Sequence, residues 1–205
     1  MPTARLEAFS DGVLAIIITI MVLELRAPEV PDPEALAPLR PVLLAYLLSF
    51  VYLGIYWNNH HHMLHVTRYV SGGILWANLH LLFWLSLVPF TTAWMGKTEF
   101  AAVPTATYGV VLLLAAIAYL VLQRAIIKRE GPDSTLAMAI GRDRKGRLSP
   151  VAYAVAIPMA IFLSAAVAGA LYVLVALIWL VPDRRIERVV TARNLKEPID
   201  SRVSH

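Results

Sequence analysis

Cysteine is absent from all 205 residues, which excludes disulfides and thiolate metal sites. Charge is scarce: Asp, Glu, Lys and Arg make up 16% of the chain, against about 25% in ordinary soluble domains. Acids are scarcer than bases, and the net charge of +4 would suggest a nucleic-acid partner if the cations were not gathered at the ends of apolar segments. No internal repeat of roughly 20–50 residues and no low-complexity tract is present, so a single helical domain is the simplest description. There is no HExxH metal motif and no carbonyl-lined filter loop such as TVGYG. In place of these the chain has hydrocarbon, with 59% hydrophobic residues against roughly 45–50% in soluble domains.

The apolar residues fall into segments at Leu6–Leu25, Leu39–Tyr56, Ile74–Met95, Thr105–Ile127 and Val151–Val181. About 20 residues cross a hydrocarbon core of roughly 30 Å, so each of the first four predicts one helix. The fifth runs for about 31 residues, roughly 46 Å as a single helix, and reads better as two short spans with a break near Ser164–Gly169. The expected fold is therefore all-α, a polytopic membrane protein with six transmembrane helices over residues 1–182. A basic tail follows at 183–205.

Charge placement gives an independent check. Of 18 Lys and Arg, only Arg26, Arg40 and Lys97 fall on one side of a six-span chain; the rest lie at Arg5, Arg68, the 124–150 loop and the tail. By the positive-inside rule both termini are expected in the cytoplasm, and the basic loops are read as topology signals and anionic-lipid contacts. The Ala27–Pro41 stretch, with five prolines, reads as an ordered external loop. The run 12–23 is not read as a cleaved leader, because Asp11 precedes it and Glu24-Leu25-Arg26 follows where small cleavage-site residues belong.

The chemistry concentrates at the first span, where Arg5, Phe9, Ser10 and Asp11 run directly into Gly12–Leu23. Polar groups at the mouth of a hydrocarbon-seeking helix need partners. At about 100° per residue, Ile16, Ile20, Leu23, Thr19 and Gly12 share one stripe, and Asp11 lies about 140° from Ile16. One helix thus carries an apolar stripe and a polar anchor on different faces.

The Arg5-x-x-x-Phe9-Ser10-Asp11 sequence resembles the RxxxFSD signature of the transmembrane protein 175 family, endolysosomal potassium channels and their prokaryotic relatives. In that family the first helices of symmetrically arranged six-helix units line a pore constricted by isoleucine or leucine. Carried onto this sequence, the resemblance puts the constriction at Ile16, Ile20 and Leu23 and potassium preference at Thr19. It implies a homotetramer, since one six-helix unit is present. Glu24 would stand at the pore mouth, where its charge could raise local cation concentration.

Trp57-x-x-His60-His61 is similar to the family's second-helix WxxHH pattern. The resemblance then implies a polar network joining Arg5, Phe9, Ser10 and Asp11 to Trp57, His60, His61 and, from the third helix, Asn78, with His80 a weaker contributor. His62 and His65 lie outside the matched pattern. The implied function is a leak-type potassium-permeable cation channel in a prokaryotic plasma membrane, with no catalytic residue, no metal, no cofactor and no nucleic-acid partner. Its partners are further copies of itself and the lipid bilayer. Two readings compete: a proton-conducting or weakly selective channel on the same fold, and a membrane metalloenzyme using His60, His61, His62 and His65, where the His61/His65 spacing suits zinc.

Overall fold

The computed structural model describes residues 3–140 and 144–180, and among these every regular element is helical. The elements are α1 (Thr3–Leu23), α2 (Arg40–His65), α3 (Gly72–Ser86), α4 (Val88–Lys97), α5 (Ala102–Glu130), α6 (Thr135–Ile140), α7 (Arg144–Phe162) and α8 (Ala165–Leu180). A 3-10 turn at Pro33–Leu39 precedes α2, with the Asp32 carboxylate accepting the Glu34 N–H at its start. Helices α1, α2 and α5 are each long and apolar enough to cross a bilayer, as is the α3–α4 pair taken as one span. The α7–α8 hairpin adds a 19-residue helix and a shorter apolar one, Ala165–Leu180.

Several boundaries differ from the sequence reading, each for a physical reason. The third span is bent at Leu87: Pro89, in the first turn of α4, brings no N–H to continue the ladder, so one crossing is built from two helices. The break in the fifth apolar segment lies at Leu163–Ser164, whose two N–H groups both return to the Met159 carbonyl, and Ala165–Gly169 are already helical. The 124–150 stretch, expected as a loop, is mostly helix among the described residues, and α2 runs past the end of its apolar segment at Tyr56. Residues 57–65 complete α2, α5 runs on to Glu130, and α7 begins at Arg144. Gly131 ends α5 at φ 96, a conformation that favours glycine, and its N–H closes the last turn on the Ile127 carbonyl. The expected tail at 183–205 lies outside the described residues.

Helix α5 is the scaffold, packing against α3, α4, α7 and α8, while α1 sits at one margin on α2, α3 and α4. Close approach is bought with glycine at two points. A Cβ on Gly96 would stand 2.9 Å from the Val42 Cα, and one on Gly109 would stand 2.1 Å from the Tyr172 hydroxyl. End contacts fix the winding. Thr3 Oγ1 donates to the Thr67 carbonyl at 3.2 Å, and Trp179 Nε1 donates to Ser149 Oγ at 2.8 Å, all at the end where α1 begins. At the other end Lys97 meets Glu24. Four candidate spans, α1, α2, the α3–α4 unit and α5, together with the α7–α8 hairpin are thus roughly consistent with the expected six helices.

Candidate functional site

Helix α1 has two opposite faces. Leu6, Ser10, Leu14, Ile17 and Met21 are buried against the bundle at helical spacing. Ile16 is 58% exposed, Ile20 46% and Leu23 78%, and Gly12 and Thr19 lie on the same uncovered side. Thr19 Oγ1 donates to the Ile16 carbonyl at 2.8 Å, which uses its proton inside the helix and leaves the oxygen's lone pairs outward.

Behind the buried face runs a chain of hydrogen bonds. Ser10 Oγ donates to the Leu6 carbonyl at 2.8 Å, Asn78 Nδ2 donates to Ser10 Oγ at 2.9 Å, and His60 Nε2 lies 2.7 Å from Asn78 Oδ1. All three residues are buried. The order of donors follows from the first bond. Because Asn78 gives its N–H to Ser10, its oxygen must accept, so His60 carries its proton on Nε2. That leaves only the His60 Nδ1 lone pair unpartnered, whereas the other tautomer with a flipped amide would bury a bare N–H, a costlier outcome. Three helices are thereby locked in rotation relative to one another.

Nearer the surface the α1–α2 seam carries two further rungs. Trp57 Nε1 donates to Asp11 Oδ1 at 3.0 Å, and His61 Nδ1 meets Glu7 Oε1 at 2.7 Å. Glu7 and Asp11 are one turn apart on α1 and face His61 and Trp57, one turn apart on α2, as antiparallel helices require. The Trp57 and His61 rings stack at 6.1 Å, and His61 stacks on His65 at 5.9 Å. Arg5 and Phe9 are not drawn in: both lie on the exposed side of α1, and Arg5 has no side-chain partner among the described residues. His80 accepts from Trp84 Nε1 at 2.9 Å, away from Ser10 and Asn78. Glu7 is the participant that sequence reasoning missed. Its signal was its place four residues before Asp11, matching the His61/Trp57 spacing.

At the opposite end Glu24 is not a bare carboxylate. Lys97 Nζ donates to Glu24 Oε2 at 2.6 Å, and this ammonium, with Arg26 beyond it, holds the carboxyl below its usual range. The pair closes one end of an open groove of about 780 Å³ between α1 and α4, lined by Ile16, Ile20, Pro89, Phe90 and Trp94.

A second polar seam, unread in the sequence, ties α2, α4, α5 and α8. Ser49 Oγ donates to Tyr108 Oη at 3.0 Å and lies 2.6 Å from Thr92 Oγ1, Tyr52 Oη donates to the Tyr172 carbonyl at 2.6 Å, and Tyr172 Oη donates to the Thr105 carbonyl at 3.2 Å. Each of these tyrosines looks like ordinary core in the sequence, and only the packing reveals which group on another helix its hydroxyl meets. Among the described residues no group of three or more His, Cys, Asp or Glu is placed to hold a metal ion.

Comparison with known proteins bears on this arrangement. The family model described as the endosomal/lysosomal potassium channel TMEM175 matches residues 5–89. A potassium channel of Chryseobacterium sp. (strain P1-3) is 54% identical over 188 residues, 92% of this chain and 97% of that one. The crystal structure of a lysosomal potassium-selective channel TMEM175 homolog from Chamaesiphon minutus superposes with a TM-score of 0.75 at 30% identity, covering 88% of this chain and 97% of the other. The Gallus gallus endosomal/lysosomal proton channel TMEM175 is 43% identical over 77 residues, 31% of this chain and 15% of that protein.

Proposed function

This chain belongs to the TMEM175 family, and from that premise we propose that it is a potassium-permeable cation channel whose pore is lined by α1 from several copies of the chain. It is an integral membrane protein and not an enzyme. One observation carries the reading. The outward stripe of α1 is bordered by the exposed Arg5 at one end and by the Glu24–Lys97 pair at the other, and such groups do not face lipid without cost. A stripe flanked by charge at both ends suits a water-filled axis shared between copies. A single bundle leaves Ile16, Ile20 and Leu23 uncovered, so self-association completes the site, and we assign four copies.

In this reading Ile16, Ile20 and Leu23 form successive hydrophobic rings that gate by dewetting. Thr19 offers outward lone pairs between them, and discrimination comes from that narrow passage in place of backbone carbonyls. Lys97 neutralises Glu24, so the mouth is electrostatically muted, and Glu24 serves to tether α1 to α4. The Ser10–Asn78–His60 chain sets which side chains of α1 face the axis. The polar network proper comprises Glu7, Ser10, Asp11, Trp57, His60, His61 and Asn78, with Arg5 and Phe9 turned toward the axis. Both termini face the cytoplasm of a prokaryotic cell.

The proton-conducting reading draws on the likeness to the Gallus gallus endosomal/lysosomal proton channel, which matches less than a third of this chain. One measurement decides between the two. Purified protein in liposomes is expected to carry potassium flux with a reversal potential that follows the potassium gradient. A reversal potential that follows pH alone would replace potassium by protons, and absence of any flux would refute the channel.

A further inference from the structure

A cavity of about 260 Å³ lies apart from α1, where the loop after α2 meets the turn between α5 and α6. Arg68, Tyr69, Arg129, Glu130, Asp133 and Ser134 line it. The Glu130 carboxylate accepts the Arg68 backbone N–H. Among the described residues the ion pairs are Glu7–His61 and Glu24–Lys97, and neither guanidinium of this cavity joins one. Two guanidinia and two carboxylates thus share one polar space without satisfying each other.

From this we infer that the cavity binds the zwitterionic headgroup of a membrane phospholipid, a phosphate ester bearing a primary alkylammonium. A purely anionic ligand would meet both carboxylates, and a purely cationic one would meet both guanidinia. A ligand with one phosphate and one ammonium matches all four charges. Arginine forks suit phosphate oxygens, and a primary ammonium has the N–H donors that Asp133 and Glu130 can accept. Depth agrees with a lipid source. Helix α5 has 29 residues, about 43 Å against a hydrocarbon core of roughly 30 Å, which brings its Glu130 end to headgroup level. Tyr69, an interfacial residue type, is largely exposed there. The site stands independently of which residues form the pore.

The test reconstitutes the assembled protein in vesicles of equimolar phosphatidylethanolamine, phosphatidylcholine and phosphatidylglycerol and measures retained lipid by native mass spectrometry. Phosphatidylethanolamine should be retained severalfold over the other two, because choline has no N–H and glycerol no charge. The Arg68→Ala/Arg129→Ala variant should lower that retention about tenfold, and Asp133→Asn should abolish the preference for phosphatidylethanolamine over phosphatidylglycerol while leaving phosphate binding. Glycerophosphoethanolamine, the headgroup without chains, should compete at least tenfold more weakly than the lipid. Equal retention of the three lipids, or an unchanged preference in Asp133→Asn, overturns the proposal, and equal affinity for the soluble headgroup overturns the lipid source. Asp133→Asn is a surface change, so the question is decided even if the double arginine variant fails to fold.

Discussion

Replacing Asn78 by leucine isolates the polar lock behind α1, because the two side chains are close in size and cavity terms stay small. The His60 Nε2–H loses an acceptor at 2.7 Å, and His60 Nδ1 already has no partner, so the buried imidazole keeps no hydrogen bond. A stranded buried donor costs about 1–3 kcal/mol. Ser10 keeps its bond to the Leu6 carbonyl and contributes less to the loss. Interhelical hydrogen bonds in membrane proteins run lower, near 0.6 and up to about 1.7 kcal/mol, so Asn78→Leu is expected to cost about 1–2 kcal/mol, roughly a 5- to 30-fold fall in the folded-to-unfolded ratio. Replacing both partners by apolar groups leaves nothing stranded, so His60→Phe/Asn78→Leu should recover most of that stability. Recovery of stability without recovery of ion preference would separate holding α1 in the bundle from holding its rotation. Unfolding by denaturing detergent and reversal potentials in liposomes, measured on one preparation, give both readouts. The reasoning is refuted if Asn78→Leu unfolds within about 0.5 kcal/mol of the wild type, or if the double variant loses the sum of the two single losses.

Ile16→Asn should hydrate the narrowest ring, raising flux and lowering the potassium-over-sodium preference; an assembled variant that conducts and selects as the wild type does would remove Ile16 from the constriction. The lowered pKa of Glu24 means that its pairing with Lys97 stabilises fully above the usual carboxylate value of 4.5 and is lost as the pH falls through the lowered value. A loss of thermal stability below pH 4.5 should therefore shrink in Lys97→Gln, and an identical acid profile in that variant would discard the tether. Gly109→Ala places a methyl 2.1 Å from the Tyr172 hydroxyl and should cost about 1–3 kcal/mol of stability, with partial relief in Tyr172→Phe; a neutral Gly109→Ala would mean that α5 and α8 are not so closely packed. Because the chain has no cysteine, Pro28→Cys should be labelled by an impermeant thiol reagent in intact cells and Ser134→Cys should not, the reverse pattern inverting the topology.

Much of this molecule is determined by its sequence. Hydrocarbon-length apolar runs leave helices as the solution for a backbone with no water to bond, which gives the expectation of six passes and the all-helical fold. The placement of Ser10 and Asp11 on faces away from Ile16 follows from 3.6 residues per turn, so the division of α1 into an anchored and an outward side was legible before any packing was known. Tertiary structure decided what periodicity cannot carry, namely partners across the fold. Asn78 reaches Ser10 over 68 positions, Lys97 reaches Glu24 over 73, and Tyr52 reaches the Tyr172 carbonyl over 120. Such pairings depend on crossing angles and on the close approaches allowed by Gly96 and Gly109, which are global properties of the packed bundle. Hydropathy likewise could not see the helix break at Leu87, where one apolar run is divided between α3 and α4. The sequence thus fixes which side chains are polar and which face of a helix they occupy, and the packed bundle alone decides which of them meet.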